Sequence, residues 1–131
     1  LVEDNPINQK LALLMLEKID CNVDVAGNGI EALKALQLFT YDLIFMDCQM
    51  PEMDGYEATR RIRKMSKPIS DIPVVAFTAN AFIDDHLKCI EAGMNDFVTK
   101  PVEISTLDAK IKLYVKNPSN LPLTMDPSLD L

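Results

Sequence analysis

The sequence predicts a doubly wound α/β domain built on a parallel sheet. Runs of strand length alternate with helix-length amphipathic stretches five times along the chain. Residues 43–46 and 73–77 are continuously apolar, as strands covered on both faces should be. With 131 residues, 48% hydrophobic and 25% charged, the chain is large enough for one domain with its own core.

Leu1-Val2 reads as the end of a first strand. Asn5 can cap a helix that has Pro6 at its first position, with Ile7, Leu11 and Leu14 as its apolar stripe. Val23-Asp24-Val25 alternates like a partly exposed edge strand. Asn28-Gly29 opens a second helix with Ala32, Leu33 and Leu36 inward. Residues 43–46 form the third strand, and a third helix spans 55–67 and stops at Pro68. Residues 73–77 are the fourth strand. Ile83, Leu87 and Ile90 mark a fourth helix closed by Gly93. Phe97-Val98 is a short fifth strand, and Ile104, Leu107, Ile111 and Tyr114 line the last helix. Residues 117–131, interrupted by Pro118, Pro122 and Pro127, show no period and read as a Pro-containing tail or linker after a domain at 1–116.

In doubly wound folds ligands bind beyond the carboxyl ends of the strands. Glu3, Asp4, Asp47, Thr78 and Lys100 all follow predicted strands, so residues scattered in sequence should converge in space. Asp47 is the most telling, because an apolar strand delivers it into the Pro- and Gly-punctuated loop Cys48-Gln49-Met50-Pro51-Glu52-Met53-Asp54-Gly55.

The net charge of −7 argues against direct nucleic-acid binding, which needs a basic surface. No apolar run approaches the roughly 20 residues of a membrane span, so no membrane contact is expected of this domain. No basic-then-apolar leader is visible. Cys21, Cys48 and Cys89 are odd in number and widely spaced, which fits a reducing cytoplasm better than a disulfide framework or a zinc site.

Glu3-Asp4-Asn5, Asp47 with Met50-Pro51-x-Met53-Asp54-Gly55, Thr78-Ala79 and Lys100-Pro101, in this order and on these elements, resemble the response-regulator receiver domain of two-component systems. The stretch from Asp47 through Tyr56-Glu57-Ala58-Thr59 is most similar to receivers of hybrid sensor histidine kinases. The resemblance covers roughly residues 1–116. It implies a flavodoxin-like, five-stranded sheet flanked by five helices, with strand order 2-1-3-4-5. Only Leu1 and Val2 precede the acidic pair, against about five residues in a typical strand, so the first strand is expected to be truncated and completed by residues upstream or by another chain.

The resemblance also implies a mechanism. Asp47 is the phosphoacceptor nucleophile, taking a phosphoryl group from a phosphohistidine on a histidine kinase or histidine phosphotransfer domain. Mg²⁺ (or Mn²⁺) is held by Asp4, Asp47 and the backbone carbonyl of Gln49, with Glu3 acting largely through water; oxygen-only ligands suit such an ion. Lys100 and Thr78 meet phosphoryl oxygens. Thr78 and Phe97 form the switch, which alters the face made by the fourth helix, fifth strand and fifth helix. Gln49 and Asn80 flank the water path and tune phosphate lifetime; neither is a general base, so fast built-in hydrolysis is not expected. The Lys100-Pro101 peptide is expected to be cis.

Other features read more plainly. Cys48 is a small filler beside the site. Arg60, Arg63, Lys64 and Lys67 form a solvated helix face. His86, the one histidine, reads as a surface residue, and most methionines as core. No Gly-rich ATP loop appears, so no kinase catalytic region is expected in this chain, although the resemblance implies that its parent is a histidine kinase. The alternatives are a stand-alone single-domain response regulator or an aspartyl-phosphate hydrolase. Gln49 disfavours the hydrolase, since haloacid-dehalogenase-like enzymes usually place an acid two residues after the nucleophile. Dimers through strand exchange or through the face of the fourth helix, fifth strand and fifth helix stay open.

Overall fold

The computed structural model describes residues 1–79 and 83–115. Its elements are α1 (Pro6–Lys18), α2 (Gly29–Leu38), β1 (Ile44–Asp47), α3 (Gly55–Arg63), β2 (Val74–Thr78), α4 (Ile83–Ala92), β3 (Asp96–Thr99) and α5 (Ile104–Tyr114). A 3-10 turn at Ile69–Asp71 precedes β2. The three strands pair in parallel in the order β1-β2-β3, with Asp47 opposite Phe77 and Thr78 opposite Thr99. Val2 extends the sheet beyond β1 by parallel bridges to Met46 on one side and Ala26 on the other. The spatial order is therefore Ala26, Val2, β1, β2, β3, which is the predicted 2-1-3-4-5 arrangement. The second strand expected at 23–25 is a correction: no ladder forms there. Residues 1–3 meet that segment through Ala26 N–H to Leu1 O (2.9 Å), Glu3 N–H to Ala26 O (3.0 Å) and the Leu1 ammonium to Asp24 O (3.0 Å).

Side chains of a strand alternate between faces, and the sheet is covered on both. On one face Phe45, Val75, Phe77 and Val98 pack with Ala12 and Leu16 of α1 and Leu107 of α5. On the other, Ile44, Met46, Val74 and Ala76 pack with Leu36, Ile62 and Cys89 from α2, α3 and α4. Every residue of β1 and β2 is buried, which explains their unbroken apolar runs. Each large apolar side chain so buried contributes about 1.5–3 kcal/mol.

Two predicted helix stripes are corrected. In α1, Ile7, Leu11 and Leu14 are 71%, 53% and 52% exposed, while Ala12 and Leu16 are buried. In α4, Ile83, Leu87 and Ile90 lie outward and Cys89 and Ala92 inward. The helical period was right and the face was not. In α4 the small residues Cys89 and Ala92 seat the helix against the sheet; in α1 Ala12 and Leu16 do so, with Met15 packed beside them. Ile104 on α5 is also exposed, whereas Leu107 is fully buried.

Helix α3 ends at Arg63 rather than Lys67. The bonds Lys64 N–H to Arg61 O and Met65 N–H to Ile62 O tighten its last turn and close it. At the end of α4, Gly93 adopts φ +101°, the left-handed conformation that suits glycine, and Met94 N–H bonds back to Cys89 O at 2.9 Å. The predicted tail at 117–131 lies outside the described residues.

Candidate phosphoacceptor and metal site

Asp47 is the last residue of β1 and is buried. Its backbone N–H donates to Val2 O at 2.9 Å, which sets the end of β1 beside the acidic pair. Asn5 Oδ1 accepts from the backbone N–H groups of Ile7 and Asn8, capping α1 as predicted. Its own N–H donates to Glu3 Oε2 at 3.1 Å. The turn that starts α1 thus also aims the Glu3 carboxylate. Gln9, which sequence reasoning missed, reaches back from α1 to donate from Nε2 to Glu3 O at 2.6 Å. Carboxylate oxygens of Glu3, Asp4 and Asp47 all lie within 4.8 Å of one another; Asp4 is the one most open to solvent.

Lys100 enters from the end of β3. Its N–H donates to Thr78 O at 2.8 Å, and its Nζ lies 3.2 Å from Asp47 Oδ2 and 3.7 Å from Glu3 Oε1. The Lys100–Pro101 peptide is cis, and so is Lys67–Pro68. Thr78 is buried at the end of β2, one residue beyond the partner of Asp47. Asp47 Oδ1 accepts from the Gln49 N–H at 3.1 Å, while the Gln49 side chain is exposed. The structure thus brings together Glu3, Asp4, Asp47, Thr78, Lys100 and the Gln49 backbone. Asn80 lies outside the described residues.

Glycine is required at Gly55. A Cβ there would run into the carbonyl oxygen of Asp47 and lie 3.0 Å from the Cys48 Cα, both backbone atoms that cannot give way. The Gly55 N–H also bonds to Cys48 O at 3.0 Å, so α3 starts directly against the acid-bearing strand.

Three carboxylates and one ammonium leave the cluster short of positive charge. Two carboxylates about 4 Å apart repel by about 4 kcal/mol at an effective dielectric of about 20. Burial, helped by Asp47, pushes the Glu3 carboxyl up to about 7, with the Asn5 N–H and Lys100 opposing. The all-oxygen donor set and its charge fit a divalent ion such as Mg²⁺. Cys48 is pushed up to about 12, chiefly by burial and next by the Cys89 thiol, so it stays a protonated filler as expected.

Phe97 sits on β3 opposite Ala76, half-buried against the core. Two side chains differ from the sequence reading. His86 is not a free surface residue: its ring stacks on Phe97, with centroids 3.6 Å apart. Arg63 is not part of a solvated face. Its guanidinium donates to Gly93 O, Ser70 O, Ile72 O and Asn95 Oδ1 at 2.7–3.1 Å. Neither role leaves a local pattern, because the partners lie up to 32 residues away in sequence.

A model of the response regulator receiver domain matches residues 1–112. The chain belongs to the response regulator receiver domain family. Among curated relatives of this receiver domain, hybrid signal transduction histidine kinases L and B of Dictyostelium discoideum are 41% and 45% identical to it, over 88% and 82% of the chain. The chain spans only 7% and 6% of the length of those kinases. The receiver domain of a Pseudomonas aeruginosa PAO1 sensor histidine kinase, with magnesium coordinated in its active-site cleft, superposes at TM-score 0.80. It is 38% identical, and the match covers 87% of this chain and 93% of that one. The receiver domain of Saccharomyces cerevisiae Ssk1, crystallised with the histidine phosphotransfer protein Ypd1, matches at TM-score 0.79 and 35% identity, over 87% of this chain and 85% of that one. No described helix is long and apolar enough to cross a membrane.

Proposed function

We propose that this receiver domain accepts a phosphoryl group on Asp47 from a phosphohistidine of a histidine kinase or histidine phosphotransfer protein, as one module of a hybrid histidine kinase acting in the cytoplasm. The observation that carries the reading is the cluster of Glu3, Asp4 and Asp47 carboxylates with the Lys100 ammonium 3.2 Å from Asp47. The likeness to the hybrid kinases and to the Ssk1 receiver bound to Ypd1 supports the choice of parent and partner.

An Asp47 carboxylate oxygen attacks phosphorus while the phosphorus–nitrogen bond to the donor imidazole breaks. The electron pair returns to the imidazole, and the product is an acyl phosphate. Phosphoryl transfer demands mainly alignment and charge neutralisation. Asp4, Asp47 and the Gln49 carbonyl would hold Mg²⁺ or Mn²⁺, with Glu3 behind them. When bound, that ion neutralises phosphoryl charge. Lys100, tethered through its backbone to Thr78, moves its ammonium from Asp47 Oδ2 to a phosphoryl oxygen. The Thr78 hydroxyl and nearby backbone N–H groups serve another oxygen. Gln49 and Asn80 carry no general base, so the acyl phosphate outlives a signalling encounter.

Phosphorylation shifts an equilibrium between two packings of Thr78 and Phe97. It is read at the face of α4, β3 and α5, whose exposed Ile83, Leu87 and Ile90 offer contact area to a second copy or another partner.

The test is transfer from a histidine phosphotransfer protein carrying a radiolabelled phosphohistidine. With Mg²⁺, label should move to this chain and not to the Asp47→Asn variant. Label that stays on the donor, or moves equally to the variant, contradicts the proposal.

A further inference from the structure

His86 is the only histidine in the chain. Its ring lies on the Phe97 ring at a centroid distance of 3.6 Å and an interplanar angle of 22°. Its Nε2 is buried and finds no hydrogen-bond partner among the described residues. A buried, unsatisfied ring nitrogen is costly, and native structures rarely keep one without a use for it. The stack therefore holds the imidazole in a place where its polar edge is poorly served and solvent would serve it better.

The two rings belong to the two elements that a signal must connect. Phe97 lies on β3, three residues before Lys100 and opposite Ala76, which precedes Thr78 by two on β2. His86 lies on α4, three residues after Ile83 and four before Ile90, so it shares a helix face with that exposed stripe. Ile83, Leu87 and Ile90 are 73%, 51% and 65% exposed.

We propose that His86 is the latch between the Asp47 site and the exposed face of α4: stacked on Phe97 it holds that face in its resting form, and movement of Phe97 on phosphorylation releases it. This rests on Asp47 being the phosphoacceptor. His86 is a positioning residue, not a catalytic one; it touches Phe97 and no reacting atom.

A single histidine makes the test unambiguous. Imidazole carbon–proton NMR signals of the full chain should lie upfield in the resting protein, shielded by the Phe97 ring. Mg²⁺ and acetyl phosphate should move them to free-imidazole positions, and Phe97→Ala should do so with no phosphodonor. Intact mass is read on the same samples. His86→Phe keeps a stack without the unsatisfied nitrogen and should lower the fraction phosphorylated at a fixed acetyl phosphate concentration; His86→Ala should raise it. A merely structural residue would not move that fraction in opposite directions in its two variants. Phosphoryl mass gained with the imidazole signals unmoved overturns the latch alone. Equal or same-direction effects of the two His86 variants overturn it too. No mass gain in the folded parent overturns the phosphoacceptor reading and the latch with it.

Discussion

Glu3 shows how the site trades stability for a binding place. Its carboxyl is buried beside Asp47, and burial is the main reason it holds its proton up to about 7. In the unfolded chain a glutamate loses that proton near its ordinary value of about 4.3. Between those values the folded state binds more protons than the unfolded one, so stability is fully present at the low end and falls as pH rises through about 7. The carboxyl of Asp96, by contrast, is held below its usual range by the Lys110 ammonium and the Phe97 N–H against the cost of burial, so its effect is confined to more acidic solution. In chelator, raising the pH from 5 to 8 should therefore lower the thermal midpoint of the parent relative to that of Glu3→Gln; the Leu1 ammonium, which burial lowers to about 6, acts in the opposite sense in both and cancels from the comparison. Mg²⁺ should raise the midpoint at pH 8, because a ligand that binds only the native state stabilises it by mass action. A midpoint that rises from pH 5 to pH 8 in chelator, and does so equally in Glu3→Gln, would contradict this account of the buried carboxyl.

At the scale of elements, Arg63 ties three pieces together. From the last turn of α3 its fork reaches Gly93 at the end of α4 and Ser70 and Ile72 beside the 3-10 turn. It also bonds Asn95, whose Oδ1 accepts from the Val74 N–H that starts β2. Planar, multiply donating geometry is what guanidinium supplies and ammonium does not. Arg63→Ala should cost about 2–4 kcal/mol, since charge-assisted bonds vanish and half-buried carbonyls lose their donors. That loss lowers the melting midpoint on the order of 10 °C. Arg63→Lys should recover less than half of it. Both are read by thermal unfolding, and a lysine variant as stable as the parent would show that the charge matters and the fork does not.

At the scale of the whole molecule, what was legible in the sequence followed from rules that act locally. Alternating runs gave the parallel sheet, and the polar residues at strand ends gave Glu3, Asp4, Asp47, Thr78 and Lys100, because a doubly wound fold gathers strand ends on one rim. Asn5 was readable as a cap since capping is settled within three residues. The buried faces of α1 and α4 were not readable. Ile7, Leu11 and Leu14 are apolar at helical spacing, yet Ala12 and Leu16 face inward, and nothing local to the helix distinguishes Leu16 from Leu11 and Leu14. The alternation at 23–25 did not foretell that the segment would join the sheet through a single bridge, from Ala26 to Val2, because pairing depends on a neighbour distant in sequence. The contacts of His86 and Arg63 were not readable for a related reason: their partners are distant in sequence, and single-residue chemistry does not announce them.

Phosphorylation of Asp47 should depend on a cation held in the site built at that rim. Intact mass after incubation with acetyl phosphate tests it most directly, in the parent and in Asp47→Asn, each with Mg²⁺ or with chelator. The mass of one added phosphoryl group should appear in the parent with Mg²⁺ and in no other sample. A gain that persists in Asp47→Asn or in chelator, or no gain in a parent shown to be folded, would contradict it.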